Sequence, residues 1–164
     1  YRHQTSKSTV VGEIMARRED IVKEIVSLLK AQRSVRLGVV QRDPIDPTQL
    51  AKTAFPAVFL ETTNENIEDV SMTMGSIGLM REGVMEVNVV LLIGGQQRDT
   101  QRNIAVEAIE NTLMANRQLP VNNVPLVEDI RLSRVETVVI GESAPFASCR
   151  MVFTVEYCYT LNQT

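Results

Sequence analysis

Histidine occurs once in the 164 residues, at His3, and tryptophan does not occur at all. That scarcity removes the usual base or ligand of Ser-His-Asp, Cys-His and His-metal mechanisms. Aromatic side chains total 4%, too few for a platform on which bases or sugars would stack. The two cysteines, Cys149 and Cys158, fall nine positions apart in one expected strand. An odd offset puts them on opposite faces, roughly 30 Å apart, so they are not expected to bond to each other. No Cys-x-x-Cys pair is present, and neither a structural zinc nor any other metal site is expected. Reduced thiols in a cytoplasmic setting are the plain reading.

Basic excess is missing too. Seventeen Lys and Arg stand against twenty Asp and Glu, a net charge of -3, so the overall field repels phosphate and argues against a general nucleic-acid binder. The longest apolar stretch, Val84 to Ile93, is interrupted by Glu86 and Asn88 and falls short of the ~20 residues a membrane helix needs. Tyr1 to Lys7 carries a basic start without an apolar segment behind it, which does not read as a signal peptide.

What remains is the composition of an ordinary folded domain: 44% hydrophobic and 23% charged residues. At this length about two thirds of the extended surface is buried on folding, enough for one core without staples. Residues 1–164 are read as a single domain, with 1–8 as a flexible arm.

Apolar spacings of three, four and seven through Val10, Ile14, Ile21, Ile25 and Leu29 predict an amphipathic helix from Ser8 or Thr9 to about Gln32, its first turn open as far as Gly12. Alternation over Val35–Arg42 predicts a strand. Asp43-Pro44 and Asp46-Pro47 stop it and permit a short helix after Pro47. Ala57–Thr63 reads as a second strand. From Asn64 to Gly78 large apolar residues are too few to define an element, which predicts a long loop that orders on a neighbour. The third strand, Leu79–Ile93, is apolar on both faces at its far end and should lie centrally. A helix opened by Asp99 and running to about Arg117 follows, with Ile104, Ala105, Ala108, Ile109 and Leu113 on one face. Two strands close the chain: Leu126–Ile140, with a break near Ser133, and Ala147–Thr160, where Met151, Phe153, Val155, Tyr157 and Tyr159 share a face. The class is α+β, one mainly antiparallel or mixed sheet of four to five strands with two main helices packed on it.

Sites for chemistry are sparse. Ile93-Gly94-Gly95 leading to Asp99 has the strand, glycines and helix start of an anion cradle but lacks the Gly-Lys-Ser/Thr ending of a P-loop and the spaced glycines of a dinucleotide site. Glu65, Glu68 and Asp69 lack the spacing of a calcium loop. Arg17, Arg18, Lys23 and Lys30 alternate with Glu13, Glu19, Asp20 and Glu24, the pattern of a solvated helix face. No catalytic residue and no cofactor site is expected.

Phe55-Pro56-Ala57-Val58 at a strand start, the apolar run Val87 to Ile93, Asp99 with Ala105 and Ile109, and the closing run from Ala147 to Tyr157 together make a pattern that resembles the tail terminator proteins of tailed phages. The resemblance covers about Glu13 to Thr160. It implies a virion subunit, assembled in the host cytoplasm, that forms a hexameric ring on the last ring of the tail tube. Such a ring ends tube polymerisation and offers its upper surface to the head connector or stopper; in contractile tails it also meets the sheath. A compact domain of this length is ~35–40 Å wide, so six in a closed ring leave a hole of about 30–40 Å, wider than duplex DNA at about 20 Å. DNA would pass without being gripped. Lumen or ring-contact carboxylates are expected among Glu65, Glu68, Asp69, Glu82 and Glu86. Rival readings are another neck or tail ring component, either a connector stopper or a tube subunit, and more remotely a small nucleotide-binding or hydrolase domain using the Gly94-Gly95 turn.

Overall fold

The computed structural model describes residues 6–72, 79–138 and 146–161, with side chains at 17–69, 80–137 and 146–159. In chain order the elements are helix α1 (Ser6–Ala31), strands β1 (Val39–Gln41), β2 (Ala57–Met72) and β3 (Leu79–Gly94), helix α2 (Arg98–Met114), and strands β4 (Asp129–Val138) and β5 (Phe146–Leu161). One five-stranded sheet holds them, in the order β1-β2-β3-β5-β4; β1 runs parallel to β2 and every other pair is antiparallel. This is the expected α+β class, with the expected order of elements.

β3 lies at the centre because its far end is apolar on both faces. Met85, Val87, Val89, Leu91 and Ile93 point to the helix-covered face, while Val90 and Leu92 point away and are also buried. Its neighbour β5 pairs with it along the full length, from Leu79↔Leu161 to Gly94↔Phe146. β5 turns Cys149, Met151, Phe153, Val155, Tyr157 and Tyr159 to the helices, all buried. At ~1.5–3 kcal/mol per large apolar side chain, this layer is a main source of stability.

Both helices lie on that face. α1 contributes Ile21, Val22, Ile25 and Leu29, the i, i+4, i+8 stripe its sequence spelled out. α2 contributes Ala105, Ala108, Ile109 and Leu113; the two alanines allow close approach. Ile104, expected on the same stripe, is 52% exposed, because a stripe led by Ala105 turns position 104 outward.

On the opposite face the chain between β1 and β2 folds back over Ala57, Phe59, Val90 and Leu92, bringing Ile45, Leu50 and Phe55 against them. Asp46 caps a 3-10 turn over Pro47–Gln49 by accepting from the Thr48 amide at 2.9 Å, and a second such turn covers Lys52–Ala54. Gly94 lets Phe55 lie on its backbone, for a Cβ there would come within 2.9 Å of the ring.

Several expected boundaries move. β1 shortens to three residues because only Ala57, Val58 and Phe59 of β2 are its partners. Helix α1 already runs from Ser6, so an arm over 1–8 does not extend to 6–8; residues 1–5 lie outside the described residues. α2 opens at Arg98 with Gln97 in the cap position, and Asp99 sits in its first turn, paired to Arg102 at 2.6 Å. β4 is bulged between Leu132 and Arg134, where a break near Ser133 was expected.

The largest correction concerns the expected loop at 64–78. Residues 64–72 belong to β2 and pair with β3 out to Met72↔Leu79; 73–78 lie outside the described residues. A bulge between Thr62 and Glu65 shifts the parity, so Val58, Leu60 and Thr62 share a face with Glu65, Ile67 and Asp69. A period-two reading from Ala57 therefore loses phase at the bulge, and beyond it the polar residues are held by partners distant in sequence. β1 ends at the level of Phe59 and β4 at Asp129, opposite Glu156, which leaves β2, β3 and β5 as a three-stranded extension beyond the level of Asn66.

Gly83 in that extension lies under the Tyr157 ring, and a Cβ would fall 2.5 Å from its Cζ. Tyr157 is fully buried and stacked on Tyr159 at 5.9 Å, so the ring has little freedom to retreat. Gly83→Ala is expected to cost about 1–3 kcal/mol, read as a lower urea midpoint with unchanged slope.

Candidate assembly surface

The five carboxylates singled out from the sequence separate onto two faces. Glu65 and Asp69 point to the helix side. Arg18 of α1 donates through Nε to both Glu65 oxygens, at 2.7 and 2.9 Å, and the Tyr157 hydroxyl donates to the same carboxylate. Arg81 donates to Asp69 at 2.7 Å. Hydrogen bonds to Glu65, and beyond it Tyr159, raise the Arg18 guanidinium above its usual range. Arg18–Glu65 ties α1 to β2, with Tyr157 of β5 joined to the same carboxylate, and Arg81–Asp69 links β2 to β3, so both acids are structural.

Glu68, Glu82 and Glu86 point to the other face, which no element covers beyond the β1–β2 segment among the described residues. Glu86 is locally neutralised: Asn64 donates to it at 3.0 Å, and Arg134 approaches at 3.9 Å across the width of β5. Further along the same face Arg131 meets Glu156 at 2.6 Å, and Glu136 meets both Arg134 and Arg150. The middle of the face is thus a lattice of exposed ion pairs, each worth ~0–1 kcal/mol, and close to neutral.

Glu68 and Glu82 differ. They are direct cross-strand partners, and neither has an ion pair among the described residues. Across β3, Glu82 faces Cys158 on β5, whose thiol donates at 3.0 Å to Glu128. One lateral row therefore carries Glu68, Glu82, Cys158 and Glu128, three carboxylates around one thiol. The sequence reading missed Glu128, since a row across three strands joins positions 60 residues apart and leaves no local spacing. The cysteines take opposite faces as expected, Cys149 in the core and Cys158 in this row. Desolvation, then the hydrogen bond to Glu128 and the charges of Glu128 and Glu82, push the Cys158 thiol up to about 11.

The glycine turn before α2 borders a cleft of about 790 Å³ lined by Leu50, Lys52, Phe55, Arg98 and Phe146. No helix is long and apolar enough to cross a membrane, and no cluster that could hold a metal is found, both among the described residues.

No family model and no curated protein matches the chain. Among solved structures it is similar to a chain of "Virion of native gene transfer agent (GTA) particle", with a TM-score of 0.53 and 17% identity, covering 80% of this chain and 90% of that one. At this identity the likeness shows a shared fold.

Two outcomes follow from the division of the acids. Glu65→Gln is expected to destabilise by about 1–3 kcal/mol, because Arg18 and the Tyr157 hydroxyl lose a charged acceptor; Glu68→Gln is expected to stabilise by about 0.2–1 kcal/mol by removing a like-charge cross-strand pair. Paired denaturant titrations read both. Alkylation of Cys158 in the folded protein at pH 8 should run at least about tenfold slower than in the urea-unfolded chain, and Glu128→Gln should speed it, since the thiolate is the nucleophile.

Proposed function

We propose that this chain is a structural protein of a phage-like virion, and that it transforms no substrate. Within that class the role it fits is the tail terminator: a subunit of a hexameric ring that caps the tail tube, ends its growth and presents a joining surface to the head connector or stopper. The observation that carries this reading is the two-sided sheet. One face is packed by both helices; the other, along the part of its 16-residue strands beyond the β1–β2 segment, is uncovered among the described residues and is studded with charge. An uncovered face of this length suits a subunit whose remaining surfaces meet copies of itself and adjoining rings. The fold shared with a chain of a virion supports the class.

Glu68, Glu82 and Glu128 supply the negative row that a DNA passage would use to keep phosphate from adhering. Glu65 and Asp69 leave that role, being engaged with Arg18 and Arg81.

Native mass measurement of the purified protein should give a closed sixfold species, visible as rings by negative stain. Monomer at every concentration, or long stacked tubes, would overturn the terminator reading. Replacing Glu68 and Glu82 together by Lys should leave the ring intact yet create salt-sensitive DNA binding that the native ring lacks, measured by mobility shift at low and at physiological salt.

A further inference from the structure

Pro120 to Pro125 forms a feature that the fold itself does not use. Val121 and Val124 exchange two backbone hydrogen bonds of 2.9 Å around Asn122 and Asn123, whose φ values of 52° and 64° make the tight two-residue turn of a β-hairpin. At its base the Gln118 carbonyl accepts from the Leu126 and Val127 amides, at 3.0 and 3.2 Å. Leu119, at a φ of 45° that L side chains seldom adopt, is held there by its wholly buried side chain. This stiff stem carries apolar groups into solvent: Val121 is 41% and Val124 is 64% exposed, and both prolines are exposed. A rigid apolar knob loses little freedom on docking.

A matching cavity lies at the other end of the same helix. The knob follows the C-terminal end of α2, whereas the cleft of about 790 Å³ opens beside its N-terminal end, at Arg98 and Gln101. Seventeen helical residues separate the two by about 25 Å. Leu50, Phe55 and Phe146 supply apolar walls. Charge is complementary as well. Lys52 lines the cleft beside the positive end of α2. At the knob end Arg117 and Asp129 neutralise each other, leaving the negative end of α2.

We propose that the knob of one copy seats in the cleft of the next, with Val121 and Val124 against Leu50, Phe55 and Phe146. Two different patches at opposite ends of α2 make a head-to-tail contact, the kind that closes into a ring when the rotation allows. The inference rests on the ring reading above and names the contact that builds the ring.

Two measurements test it. Val121→Lys with Val124→Lys changes only exposed side chains and sets like charge against the cleft, so far-UV circular dichroism should stay native while self-association weakens at least about tenfold in sedimentation velocity. Separately, copies carrying Val124→Cys and copies carrying Lys52→Cys, both with Cys158→Ser, are oxidised alone and mixed. Disulfide-linked pairs should form in the mixture and not in either set alone. Assembly of the double Lys variant at native strength, or linkage only within one set, overturns the contact while leaving the ring standing. A native protein that never assembles overturns both.

Discussion

The burial of β3 on both faces is the constraint from which the architecture follows. A strand with Val87, Val89, Leu91 and Ile93 on one side and Val90 and Leu92 on the other cannot lie at an edge or face water at that end. It needs a partner strand on each side, a helical layer over one face and a cover over the other. β2 and β5 supply the first, α1 and α2 the second, and the folded-back segment with Ile45, Leu50 and Phe55 the third. The cover stops where the apolar residues on that face stop. Beyond it that face carries many charged and polar side chains, and among the described residues no second layer covers it.

That termination connects packing to assembly. In the extension and at its base the strands are held by backbone pairing, by Tyr157 over Gly83, and by the Arg18–Glu65 and Arg81–Asp69 pairs. The helix face needs those acids for structure, which leaves Glu68, Glu82 and Glu128 on the free face for whatever lies opposite. Placing two of them directly across from one another costs stability, so that row is not explained by folding alone.

Much of the fold was legible locally. The two-sided apolar run of β3, the alternation of β5, the i, i+4 stripe of α1 and the Asp46-Pro47 turn each rest on residues within a few positions of one another. The failures share one origin. The 64–72 segment has no apolar alternation of its own and is a strand because β3 pairs with it; Ile104 is exposed because neighbouring Ala105 took the packed position; the Pro120–Pro125 hairpin looked like a mere helix stop, since its interest lies in being left uncovered.

The sequence by itself determined which segments would be helix or strand wherever side-chain periodicity matched backbone geometry, and it placed β3 in the middle, because water exclusion acts on every apolar residue regardless of partner. Only the tertiary structure decided which carboxylates face the helices and which face outward. That choice turns on a one-residue bulge between Thr62 and Glu65 and on lateral neighbours across three strands, and sheet pairing joins residues that no local spacing relates.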